Sequence, residues 1–211
     1  NLLSETKHDV YLICSTPKIK VKKPTRIIST KLSNNRTIKA LIPESSFGNK
    51  LNMVANIIKI PKIINYAVSK FGKPDVVYTY NAYAFEMKAA KYLSDKYKSF
   101  VVLEFDDWHF ARGINAKAIV DWFYWLRALS SIDYAFSVNQ YLEDINEKYG
   151  IKNSLLPGTV NEEIIQLKTN NPPFKSEKNY VTCGYFGGLT KDKGADFLIK
   201  MIKMSLNRKL H

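Results

Sequence analysis

Short apolar runs alternate along the chain with longer stretches of helical period. "DVYLICST" (9–16), "TIKALIP" (37–43), "DVVYTY" (75–80), "FVVLEF" (100–105), "DYAFSV" (133–138) and "SLLP" (154–157) have the length and β-branched content of strands. Several are continuous apolar runs of the kind buried on both faces. Between them, apolar positions recur at helical spacing over 49–71, 82–97, 115–130 and 139–149. Strand, helix and strand in repetition predict an α/β fold: an open parallel Rossmann-like sheet with helices on both faces.

Local punctuation sharpens these boundaries. Gly72 and Pro74 stop the helix that ends "YAVSKF". Asn139 reads as an N-cap, and Gly150 closes the helix that follows it. Pro61 lies inside the 49–71 pattern, which predicts a kink or two helices. After "LLPGTVNEE" the chain turns polar, and "QLKTNNPPFKSEKN" reads as a linker. "YVTCGYFGG" and "GADFLIKMIKMSLN" then predict one more strand and helix, without partner strands. The expected organisation is an N-terminal Rossmann-like domain over 1–161 lacking its first strand, and a linker over 162–179. The start of a second, truncated Rossmann-like unit follows over 180–211.

Composition supports a globular protein, with 45% hydrophobic and 24% charged residues. No apolar run reaches the roughly 20 residues of a membrane span, and the first ten residues lack a secretory-signal pattern. Cys14 and Cys183 match no metal or redox spacing, and His8, His109 and His211 form no ligand pattern. No metal and no cofactor are expected, and a reducing, cytoplasmic setting is. The net charge of +13 is uneven: residues 1–80 hold 14 Lys/Arg against 4 Asp/Glu. Much of it falls in "TPKIKVKKPTRIISTK" (16–31), with Lys22 and Lys23 at its centre. This stretch reads as a loop, either simply solvated or touching anionic lipid or an acceptor diphosphate. It has neither interleaved aromatics nor a recognisable module, so charge alone argues for nucleic acid and no such partner is expected.

Three stretches carry candidate chemistry. "EFDDWHF" (104–110) lies at the carboxyl end of a predicted strand, where open α/β sheets bind ligands. Asp106 and Asp107 there can orient a hydroxyl or accept its proton; the alternative is an N-cap or turn aspartate. In "INAKAIVDWFYWLRAL" (114–129) the apolar residues either pack a core or face an acceptor or lipid headgroups. His109, Trp122 and Trp125 are the candidate contact residues, together with Lys22 and Lys23. Finally, "YFGGLTKDKG" (185–194) reads as a strand turning into a helix around an anion.

Taken in order, "KPDVVYTYNAYAFEMKAAKYL", "SSIDYAFSVNQYLEDINEKYGIKNSLLPGTVNEE" and "GYFGGLTKDKGADFLIK" resemble the landmarks of nucleotide-sugar glycosyltransferases of family four. These enzymes have a GT-B fold of two facing Rossmann-like domains. The resemblance covers about residues 70–200 and implies transfer of a sugar, with retention of configuration, from a nucleotide diphosphate sugar. The acceptor would be held by the N-terminal domain. Apart from the resemblance, the basic first third and the Trp and Arg residues of 114–129 point to a glycan or lipid-linked acceptor with peripheral contact to an anionic membrane face. The resemblance places Asp106 and Asp107 in the catalytic position, and Gly187, Gly188, Lys193 and Gly194 around the donor diphosphate. Gly188 stands where the family has arginine; nearby Lys191 lacks arginine's bidentate fork. Gly158 and Thr159 replace an Asn-Gly pair, and the family's paired glutamates would lie downstream. This stretch is therefore expected to be inactive alone, while the complete gene product transfers sugar. The alternatives are a non-catalytic α/β module that binds a phosphorylated or lipid-linked ligand and, on charge alone, a nucleic-acid-binding protein.

Overall fold

The elements follow one another as β1 (Tyr11–Ile13), β2 (Arg26–Lys31), β3 (Thr37–Ile42), α1 (Asn49–Ile58) and α2 (Ile60–Phe71). Then come β4 (Val76–Tyr80), α3 (Ala84–Tyr97), β5 (Phe100–Phe105), α4 (Ala116–Ala128), β6 (Tyr134–Ser137), α5 (Gln140–Lys148) and β7 (Asn153–Leu155). The last is α6 (Ala195–Arg208). The structure, a computed structural model, describes residues 9–15, 26–31, 37–43, 49–111, 113–158 and 194–208. It divides into two compact units, Asn1–Gly158 and Thr159–His211.

The class is the one the alternation predicts: α/β, with an all-parallel sheet in the order β4-β5-β6-β7, flanked by helices in a Rossmann-like arrangement. The three crossovers step in the same direction, and right-handed connections of that kind put their helices on the same face. Burial agrees. Val101, Leu103 and Phe105 are wholly buried against Trp125, Ala128, Met87 and Leu142. The alternate positions Val76, Tyr78, Tyr80 and Phe100 are exposed, so among the described residues these helices lie on one face of the sheet.

β1, β3 and β2 form a separate sheet, β1 parallel and β2 antiparallel to β3. This corrects the reading of 16–31 as a loop throughout. Residues 26–31 pair with 42–37, from Arg26 opposite Ile42 to Lys31 opposite Thr37. The β-branched run Ile27-Ile28 with Thr30 outweighs the flanking charges, and Lys31, at the end of the strand, is exposed.

The helical pattern over 49–71 is two helices, separated at Lys59, with Pro61 in the first turn of α2. Pro61 has no N–H to give Ile57 O, its partner four residues back. Lys88 Nζ, from α3, donates to that carbonyl instead at 2.8 Å. One arc of α3 (Met87, Ala90) faces the sheet, while another (Phe85, Ala89, Leu93) packs on Ile60, Ile63, Ile64 and Leu41. Its small residues allow helices and strands to approach from two sides. Asn115 and Asn139 cap α4 and α5, each Oδ1 accepting an amide three residues on at 3.0 Å.

In the second unit, α6 begins directly after Gly194, whose φ of +79° favours glycine. The strand expected over 180–188 lies outside the described residues.

Candidate functional site

The carboxyl end of the parallel sheet is organised by a residue that motif reading passed over. Asn81 follows β4 with φ +60°, and its side chain is buried. Asparagine tolerates this left-handed conformation better than most residues. Its backbone N–H donates to Glu104 O at 2.7 Å. Its Oδ1 accepts from the N–H of Asp106 at 2.8 Å and of Asp107 at 2.9 Å. The chain leaving β5 therefore turns around one amide oxygen, which fixes where both carboxylates begin.

The surrounding groups are phenols and acids. Tyr78 Oη donates to Glu104 Oε2; burial and that carboxylate push its pKa well above the usual phenol value. Tyr80, hydrogen-bonded to Asp106, is pushed up to about 12 by that bond, then by burial and the neighbouring acids. Asp106 Oδ1 is buried without a hydrogen-bond partner. Beside it a crevice of about 500 Å³ is lined by Asp106, Asp107, Trp108, Phe110, Asn139 and Tyr141, among others. Three carboxylates at one edge oppose a phosphate, whereas carboxylates next to aromatic rings suit an uncharged, hydroxyl-rich ligand.

Neither aspartate caps a helix. Asn115 caps α4, and the start of α3 is held by Asp121, whose Oδ1 accepts from Ala84 N at 2.9 Å. Asp121 is buried and ion-paired with Lys117, whose ammonium also lies 4.2 Å from the centre of the Tyr83 ring. The acid that interrupts the apolar run of α4 is thus a strut between α4 and the first turn of α3.

Other expected residues lie elsewhere. Asp106 and Asp107 share the crevice, but His109 does not line it. Its ring sits 6.0 Å from Phe105, 5.2 Å from Trp108 and 5.7 Å from Trp125, with both nitrogens buried and unpartnered. Trp125 is wholly buried in the core, and Trp122 is half-buried beside Phe110. His109 and Trp125 are thus corrected from acceptor or membrane contacts to packing residues: Trp125 lies on the buried arc of α4, and His109, in the turn before that helix, packs its ring among Phe105, Trp108 and Trp125. Lys22, Lys23, Gly187, Gly188 and Lys193 lie outside the described residues; Gly194 precedes α6 as stated.

Burial, countered by the charge of Asp121, lowers the His109 pKa to about 4. The unfolded chain takes up this proton near pH 6.5 and the folded chain does not, so stability falls as pH drops from about 6.5 towards 4. Urea unfolding of the wild type and of His109→Phe at pH 7 and pH 5 measures this. The variant should lose less stability on acidification; equal losses would assign the proton uptake to other groups.

Among the described residues, no group of three or more His, Cys, Asp or Glu is placed to hold a metal ion. No described helix is long and apolar enough to cross a membrane. Fold and edge together define a Rossmann-like α/β protein with an acidic, aromatic-lined crevice at the carboxyl end of its sheet. Comparison with protein-family models, curated proteins and solved structures returned no significant match.

Proposed function

We propose that the protein is the acceptor-binding part of a nucleotide-sugar glycosyltransferase. The observation that carries this reading is the Asp106–Asp107 turn, held by Asn81 and open to a crevice flanked by Trp108, Phe110 and Tyr141. Aromatic faces stack on sugar rings, and carboxylates accept hydrogen bonds from their hydroxyls. Asp106 orients the attacking acceptor hydroxyl or takes its proton as oxygen bonds to the anomeric carbon. The bond from that carbon to the leaving phosphate breaks, and the diphosphate departs with the electron pair. Because the acidic edge repels that anion, the donor's diphosphate belongs on the separate Gly187, Gly188, Lys193 and Gly194 segment, with the lysine supplying positive charge.

Two measurements test the proposal. Saccharides titrated into the 211-residue chain, followed by amide NMR, should shift resonances around 104–111 and 139–142, and Trp108→Ala should abolish the shifts. In the complete gene product, Asp106→Asn should lower kcat for nucleotide diphosphate release by about 100-fold. Saccharide binding without turnover of any nucleotide sugar would favour the non-catalytic module; neither binding nor turnover would overturn both readings.

A further inference from the structure

We propose that the outward arc of α4 is a docking face for an anionic lipid surface. Ala118, Asp121, Trp125 and Ala128 form the buried arc of this helix. On the opposite arc Ile119, Val120 and Phe123 are 49%, 41% and 50% exposed, and Ile114, in the turn before the helix, is 82% exposed. Three bulky apolar side chains within one and a half turns, facing water, form a patch rather than scattered surface residues.

Charge selects the occupant. The packed helices α2, α3 and α4 carry seven Lys/Arg against three Asp/Glu, and of those acids only Asp95 is exposed. Asp121 is buried under Lys117, and Glu86 is partly covered at the first turn of α3. Arg127 adjoins the patch directly, one turn beyond Phe123 and 5.5 Å from its ring, and the further exposed cations Lys62, Lys96 and Lys117 lie on the same three helices. Between α2 and α4 a cleft of about 380 Å³ opens over α3, with Arg127, Phe123 and the Lys91–Asp95 ion pair on its walls, so that Arg127 is an uncompensated cation there among the described residues. Apolar side chains that enter the acyl boundary while lysine and arginine meet phosphate headgroups are the pattern of an interfacial helix. A single helix face bearing the patch outward suits a lipid plane better than a bound peptide helix, which needs a long apolar groove. Asp106 and Asp107, by contrast, line a different crevice, with Asn139 and Tyr141.

The surface is independent of sugar transfer, and its test needs no donor or acceptor. Flotation of the full chain with vesicles of phosphatidylcholine, alone or mixed with phosphatidylglycerol, measures it. Binding should be confined to the mixed vesicles and weaken as salt is raised. The pair Ile119→Ser and Phe123→Ser, both at exposed positions, should lower partitioning about tenfold with an unchanged thermal melt. Lys91→Gln with Arg127→Gln should reduce the preference for anionic vesicles while the melt again holds. Equal binding to neutral vesicles would overturn the proposal. So would undiminished binding by the serine variant, which would put the contact elsewhere, as on the lysine-rich segment 16–25. Absence of binding to either vesicle would overturn it too.

Discussion

Asn81→Ala is expected to cost the first unit about 3 kcal/mol and to disorganise the crevice. Two amide donors, Asp106 N and Asp107 N, lose their shared acceptor, at about 1 kcal/mol or more each when they stay buried. Alanine must also adopt φ near +60°, which adds about 1 kcal/mol. Asn81→Gly separates the two terms, because glycine accepts the backbone angle but restores no acceptor. It should recover about 1 kcal/mol in urea unfolding while leaving saccharide binding as weak as in the alanine variant. Should Asn81→Gly bind saccharide like the wild type, the amide bonds would be irrelevant to the site.

Asp121→Ala is the second large effect, with an expected loss of about 2 kcal/mol. The bond from Ala84 N–H to Asp121 is lost, and a buried donor left unpaired costs about 1–3 kcal/mol. Asp121→Asn keeps an oxygen for that N–H and removes only the charge, so it should lose less than half as much. Lys117→Met should also destabilise, since it leaves the buried Asp121 carboxylate without its counter-ion. Equal losses in Asp121→Ala and Asp121→Asn would assign the effect to the ion pair rather than the cap.

Elements whose cause is local were legible in the chain. Pro61 breaks a helix by its own chemistry, and Asn139 and Gly150 bracket α5 with signals that sit within the helix ends. The EFDD stretch lies at the end of β5 because its strand and the following turn are contiguous in sequence. β2 was hidden by a count of charges, although Ile27, Ile28 and Thr30 carried its β-preference.

The candidate site was half legible. Asp106 and Asp107 could be found from strand-end position, but Asn81, 25 residues away, gave only the weak signal of an asparagine at the end of an apolar run. His109 and Trp125 invited a functional reading because residue type says what a side chain can contact, not which way it points. In the same way Asp121 looked like an interruption of an apolar helix until Ala84, 37 residues back, supplied its partner.

The chain by itself determined the order of the described strands and helices other than β2, the break at Pro61, the Asn139 cap and the place of the acidic turn. Each of these follows from backbone chemistry and side-chain spacing within a few residues. Tertiary structure alone decided that Asn81 ties both aspartates, that His109 is walled in by rings, and that α4 buries Trp125 while turning Phe123 outward. Those outcomes depend on desolvation and hydrogen bonding between segments far apart in sequence, where the packed partner selects the face and no local pattern names that partner.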